Sequence, residues 1–375
     1  MKFYFILVII LFLLGCASNA KQTSTKTIVE AADSERKLAK YEPEDGRCIL
    51  FVGQELEAIG GLGAPFNDGY MDHFSHPGGF TMYTGLNPGA VSFGHTMEGL
   101  DGIWQTDNWG DGSSNISMQL EDEDFDGMGL AIGLSMAGGF EKMIYKGALD
   151  SLIVKMGSWF LDMSPRPIFL RIGYEFSGPW NGYDRESYIK SYRYIKDMLD
   201  DMKVDNVAYV WQSHGYDEPI ELLEAWYPGD EYVDWCSYSF FARWNESNMI
   251  RFARDRGKPV FIAEATPTLR TSITQKTGLT KETILSNPLQ ASAAWAEWFV
   301  PFFKTIDENP DVVKAVSYIN CHWRSHQMWY NNPTFKNVDA RLQINDQIIE
   351  RWNSALDERD FIMKGDPFLK RITQQ

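Results

Sequence analysis

Apolar and polar positions fall into blocks along this chain. Short apolar runs rich in β-branched and aromatic residues recur at Ile49–Glu55, Phe80–Leu86, Leu130–Met136, Pro167–Phe176, Val207–His214, Val233–Phe241, Pro259–Pro267 and Ala315–Trp323. Runs of this kind mark strands buried on both faces. Between them, apolar residues recur at helical spacing over Phe140–Met163, Asp184–Met202, Ile220–Trp226, Glu246–Arg256 and Gln290–Glu308, and a last helix is expected over Gln343–Leu356. Strands alternating with helices imply a parallel sheet, and eight of them predict an α/β fold closed as a single (β/α)8 barrel. Gly and Pro dominate residues 60–115, so the first two units are expected to be irregular.

The ends read differently. Lys2 precedes an apolar run, Phe3–Leu14, which is too short to span a bilayer and reads as a signal peptide over residues 1–16. The run closes on Leu13-Leu14-Gly15-Cys16, which resembles a bacterial lipobox and implies cleavage before Cys16 and lipidation of that cysteine. Cleavage after Ala20 is the alternative and would release a secreted or periplasmic protein; palmitate labelling distinguishes the two. Either way the chain is expected to be exported, and a lipidated one would sit at the outer membrane or cell surface. Residues 17–44 are polar, without apolar periodicity, and read as a tether. The folded body is then expected over 45–375, as a monomer.

Charge and composition narrow the partners. Lys and Arg number 35 against 51 Asp and Glu, for a formal charge of −16, which argues against nucleic acid and against anionic membrane surfaces beyond the anchor itself. Aromatic residues make up 14% of the chain with 13 tryptophans, more than a core needs and suited to stacking on sugar rings. Cys48, Cys236 and Cys321 lack metal-type spacing and are read as small buried hydrophobes.

In a (β/α)8 barrel the working residues stand at the C-terminal ends of strands. Here those ends carry Gln54-Glu55, Gly173-Tyr174-Glu175, Gln212-Ser213-His214, Tyr238-Ser239-Phe240, Ala263-Glu264-Ala265 and Asn320-Cys321-His322-Trp323. Two glutamates stand out. Glu175 ends the fourth strand and is followed by Trp180, Asn181 and Tyr183; Glu264 ends the seventh, two βα units later. Cleaving a glycosidic bond needs one carboxyl to protonate the leaving oxygen and a second carboxylate, which in retaining enzymes lies about 5–5.5 Å away and attacks the sugar. Glutamates on strands four and seven can face each other across the rim. A plain alternative for Glu175 is an ion pair with Arg171 inside the core.

The phrase Phe169-Leu170-Arg171-Ile172-Gly173-Tyr174-Glu175-Phe176, with Trp180, Asn181, Tyr183, Val210-Trp211-Gln212, Tyr238-Ser239 and Pro259-Val260-Phe261-Ile262-Ala263-Glu264, resembles family 26 of the clan A retaining glycoside hydrolases. The resemblance spans roughly residues 45–350. It implies an endo-β-glycanase acting on a β-linked polysaccharide of the mannan, β-1,3-xylan or algal galactan type. It also implies Glu175 as acid/base, Glu264 as nucleophile, Tyr238 as a donor to the nucleophile and Trp323 as the floor under the reacting sugar. Mannanases of the family place a histidine directly before the acid/base; Tyr174 stands there in this chain, which turns the expectation away from mannan. A lipid-anchored glycan-binding protein on a barrel without activity is the rival reading, and the presence of both glutamates speaks against it.

Further candidates have two readings each. His214 is either a sugar contact or a satisfied rim histidine, and Trp104 to Gly112, with Trp104 and Trp109, is either a sugar subsite or a structural cap. No cofactor is expected, since no phosphate-binding glycine motif follows a strand. No metal is expected either: His322/His326 and His73/His76 lack a third ligand of obvious spacing. Asp122–Gly127 mimics the start of a calcium loop, but Gly133 stands where the closing glutamate belongs, so it reads as a solvated acidic turn.

Overall fold

The computed structural model describes residues 36–241, 247–268 and 283–373. The leader, Cys16 and most of the tether lie outside the described residues. Where the tether is described, near its end, Lys40 accepts the Trp235 indole N–H at 2.8 Å and Tyr41 packs against Phe169.

Eight parallel strands close on themselves: β1 (Arg47–Gly53), β2 (Gly79–Gly85), β3 (Gly129–Ser135), β4 (Ile168–Ile172), β5 (Val207–Ser213), β6 (Trp235–Phe240), β7 (Val260–Ala265) and β8 (Val313–Ile319). Closure comes from β8 pairing with β1 in the register Ile49 to Ala315 through Gly53 to Ile319. A ninth strand, β9 (Asp360–Ile362), adds to the lower half of β1. The (β/α)8 barrel expected from the alternating pattern is the fold observed. Helices α1 (Asp150–Asp162), α2 (Arg185–Asp201), α3 (Ile220–Trp226) and α4 (Ser247–Asp255) follow β3 to β6. α2 starts where Asp184 accepts the Ser187 N–H, and it buries Tyr188, Tyr192, Ile195 and Leu199.

Side-chain alternation divides the strands into two sets. Leu130, Ile132, Leu134, Leu170, Ile172, Trp211, Cys236, Tyr238 and Phe240 face the helices in one large cluster. The inward set changes character along the barrel axis. Its lower part is apolar, with Ile49, Phe51, Phe169, Val210, Trp235 and Phe261 packed together. Its upper part is polar: Tyr83, Arg171, Gln212, Ser239 and Glu264 bond to one another there, and Thr81 meets Ser317 at 2.9 Å. The lower end is stoppered by the last helix, α5 (Pro367–Ile372), whose Phe368, Leu369 and Ile372 join the inward apolar cluster. Neither this stopper nor β9 was expected from the sequence pattern.

Three expected elements break. β4 stops at Ile172 rather than Phe176, because Gly173 turns at φ +56° and Glu175 follows at φ +52°. The helix expected over Phe140–Met163 splits around Gly147, at φ +78°. The one expected over Gln290–Glu308 contains a π turn, Trp295–Phe299, before a segment opening Val300-Pro301, where proline supplies no N–H. The acidic turn at Asp122–Asp126 is a short 3-10 segment capped by Asp122 and closed by the Lys364 ammonium on the Glu123 and Asp124 carbonyls. Cys48, Cys236 and Cys321 are free and buried.

Candidate active site

Strand alternation alone does not bring Glu264 inward. Phe261 and Ala263 face the barrel interior, so Glu264 would point to the helices. Both neighbouring ladders show one extra residue on β7: Tyr238 and Ser239 pair with Ile262 and Glu264, and Val316 and Tyr318 with Ile262 and Ala265. This β-bulge turns Glu264 into the barrel while Ala265 returns to the outer cluster. Glu175 reaches the same space by other means. Gly173 carries the turn, and a Cβ there would lie 2.6 Å from both the Met136 and Tyr188 side chains. The Asn181 amide then clamps the Tyr174 and Glu175 carbonyls at 3.0 and 3.1 Å.

The two carboxyl groups are joined by a continuous hydrogen-bonded path. Glu264 Oε1 accepts the Arg171 Nη1 hydrogen at 2.7 Å; the same nitrogen donates to Gln212 Oε1 at 3.0 Å. Gln212 Nε2 donates to Ser239 Oγ at 3.1 Å, and Ser239 donates to Glu175 Oε1 at 2.6 Å. The alternative of Arg171 paired with Glu175 is therefore not what forms: its partner is Glu264. Tyr83 from β2 adds a second bond to Glu264 Oε1 at 2.7 Å. Arg171 is fully buried and lies over the Tyr83 and Tyr174 rings, 4.7 and 5.5 Å from their centroids. Gly133 makes the space, since a Cβ there would sit 2.5 Å from Tyr83 and 2.8 Å from Arg171 Nη2. These ring contacts, each worth about 1–2 kcal/mol when desolvated, face a guanidinium whose Nε and Nη2 make no hydrogen bond among the described residues.

The electrostatics separate the pair. Glu264 accepts a cation and a phenol. Glu175 is buried, and burial first, then the Glu264 charge, lifts its carboxyl well above the usual range, against the Ser239 and Trp180 hydrogen bonds and Arg171. One carboxylate is thus ion-paired while the other is held toward its protonated form, which is the division of labour that glycosidic cleavage requires.

The remaining expected residues sort as follows. Trp180 is 58% exposed and donates its indole N–H to Glu175 Oε2 at 2.9 Å. His214 packs edge-on to Trp180 and bonds Ser177 and Glu218. Tyr174 stacks edge-to-face with Tyr83. Tyr183 is a brace whose hydroxyl accepts the Met136 N–H at 3.2 Å. Trp323 is buried, stacked on Phe335, with its N–H on Thr266. Tyr238, expected to donate to Glu264, lies in the outer cluster between the inward Ser237 and Ser239; the phenol on Glu264 is that of Tyr83. Trp104 lines a separate open cavity with Glu98, Asp101, Gln105, Asp107 and Lys155, the Lys155 ammonium 3.9 Å from its ring, and none of the strand-end glutamates borders that cavity. Trp109 bonds Asp111, a neighbour of Glu55 and His326.

Tyr83, Gln212 and Ser239 were missed as site residues. The signal was there: each is a polar or hydroxyl-bearing side chain at an inward position of a buried strand. Sequence spacing also hid a grouping of Glu55, Cys321 and His326, whose ligand-type atoms lie within 4.8 Å of one another. They satisfy each other, with His326 Nε2 on Glu55 Oε1 at 3.2 Å.

Comparison with known proteins bears on the family and the fold. Residues 140–335, which hold both glutamates, match the model of glycosyl hydrolase family 26. A β-1,3-xylanase from Alcaligenes sp. is 30% identical over 94% of this chain and 72% of its own length; one from Vibrio sp. is 29% identical over 94% and 74%. Among solved structures, a family 26 β-mannanase from Bacteroides ovatus covers 88% of this chain and 93% of its own at 13% identity and TM-score 0.53. The catalytic domain of an endo-β-1,4-mannanase from Bacillus sp. covers 88% and 91% at 15% identity and TM-score 0.56. The barrel and these matches define the class, a glycoside hydrolase. The chain belongs to glycosyl hydrolase family 26.

Proposed function

We propose that this chain is a retaining endo-β-glycanase that hydrolyses β-1,3-xylan, with Glu264 as nucleophile and Glu175 as acid/base. The observation that carries the assignment is the path Glu264–Arg171–Gln212–Ser239–Glu175, which joins an ion-paired carboxylate to a carboxyl lifted by burial. Among the described residues both bonds to Glu264 fall on Oε1, which leaves Oε2 for the anomeric carbon. As the C–O bond to the leaving sugar breaks, Glu175 gives that oxygen its proton and Glu264 forms the ester to the sugar. Glu175, now a carboxylate, takes a proton from water, whose oxygen attacks the same carbon and frees Glu264. Two inversions leave the anomeric configuration unchanged. The substrate reading rests on the two β-1,3-xylanase relatives together with Tyr174, the residue directly before the acid/base, in the place where mannanases carry histidine.

The test is a reducing-sugar assay over β-mannan, β-1,3-xylan, β-glucan, agar and carrageenan, with product anomers followed by NMR. Release of β-anomer from β-1,3-xylan is expected. Glu264→Ala and Glu175→Ala should each lower kcat on that polymer by about 10³-fold or more. Wild-type activity in Glu264→Ala, or release of the α-anomer, would refute the mechanism; cleavage of mannan alone would refute the substrate.

A further inference from the structure

Trp180 poses a physical problem. It is more than half exposed, yet its indole N–H must stay on Glu175 Oε2. One hydrogen bond does not fix an exposed tryptophan against the rotamer freedom it gives up, on the order of 1 kcal/mol. The support comes from behind. Gly178 has no Cβ; one there would lie 2.6 Å from the indole, so the ring lies flat on the loop backbone. The His214 ring meets Trp180 at 5.3 Å and 74°, and Tyr216 meets the His214 ring at 4.1 Å and 77°. His214 is itself locked, because Nδ1 lies 2.6 Å from both Ser177 Oγ and Glu218 Oε1, and Ser177 donates to the same Glu218 oxygen at 2.6 Å. Glu218 is 4% exposed and opens α3 from the loop after β5. Burial opposes its charge, but hydrogen bonds from His214 and Ser177 and the His214 charge hold its carboxyl down to about 2.

We propose that Glu218 is a positioning residue for the acid/base: through His214 it fixes the plane of Trp180, and through the Trp180 N–H it fixes Glu175. The inference rests on the assignment of Glu175 as acid/base. Ser177, His214 and Glu218 do not form a nucleophile–base–orienter array, since serine and glutamate meet the same ring nitrogen, whereas such an array needs one on each. What they form is a wall on the side where the leaving sugar departs, with the exposed indole as its surface and a buried carboxylate as its anchor.

The test separates steps that need a proton from steps that do not. Glu218→Ala and Trp180→Phe are compared with wild type on β-1,3-xylan and on 2,4-dinitrophenyl β-1,3-xylobioside, whose leaving group departs without protonation. Both variants are expected to lose about 10–100-fold in kcat/KM on the polymer and less than about 3-fold on the aryl glycoside. Among the described residues the groups that face Glu175 are Glu264, Arg171, Ser239, Trp180 and Tyr183, and of these the variants disturb only Trp180. Losing its hydrogen bond raises the Glu175 pKa, so the alkaline limb of the kcat/KM profile moves to higher pH in both variants. Equal losses on the two substrates, an unmoved limb, or wild-type rates in Glu218→Ala would overturn the proposal. Glu218→Gln, close in shape, takes the place of the alanine variant if that one does not fold. Glu175→Ala with azide rescue is the control. If it also loses both substrates equally, the acid/base assignment is what fails; if it behaves as an acid/base variant while Glu218→Ala does not, only the positioning role falls.

Discussion

Arg171 is the residue through which the two strand-end carboxyl groups are linked. Its position was legible, because it stands at an inward place of a buried strand two residues past Phe169; its partner was not, because the one acid the sequence sets near it is Glu175. What decides is the turn at Gly173, which carries Glu175 out of the strand direction, while the bulge in β7 delivers Glu264 to the guanidinium. A second acid, half-buried, shows the same logic of environment. Asp111 is pushed up to about 7 by burial and then by the Glu55 charge, against bonds from Trp109 and its own backbone and the His326 charge. Its folded pKa is raised, so the folded state binds more protons than the unfolded one between about pH 4 and 7, and stability falls as pH rises through that window. Asp111→Asn cannot ionise. The drop in Tm from pH 5 to pH 8 is therefore expected to be a few degrees smaller in this variant than in wild type, as read by calorimetry.

Among elements, the strands announced themselves and their irregularities did not. Periodicity reports which residues are apolar; it is blind to one inserted residue when, as in Phe261-Ile262-Ala263-Glu264-Ala265, small and apolar neighbours fit either face. The end of β4 was overextended for a similar reason: Phe176 is buried, so the run looked unbroken, although the left-handed turn lies inside it. That turn gives a sharp expectation. Gly173→Ala places a Cβ at φ +56° against Met136 and Tyr188, and should cost about 2–4 kcal/mol in urea unfolding. Because the same turn aims Glu175, kcat should fall even where the variant is fully folded.

At the scale of the whole molecule, the interior is graded, apolar below and polar above, and the lower end is shut by α5. The sequence reading closed the barrel with the helix before it, since Pro367–Ile372 is too short to show helical periodicity and gives no hint that it packs inward. Burying Phe368, Leu369 and Ile372 stabilises by about 1.5–3 kcal/mol each, so deleting residues 367–375 should remove on the order of 5 kcal/mol and lower Tm by about 10 °C. An unchanged Tm would show that the stopper is idle. A barrel stoppered at one pole has a single doorway. In the mechanism proposed above, the departing sugar must clear it before water can reach the ester on Glu264, and a second sugar standing in the same doorway competes with that water. On that proposal, traffic through one opening helps set how each ester divides between release to solvent and transfer to another chain.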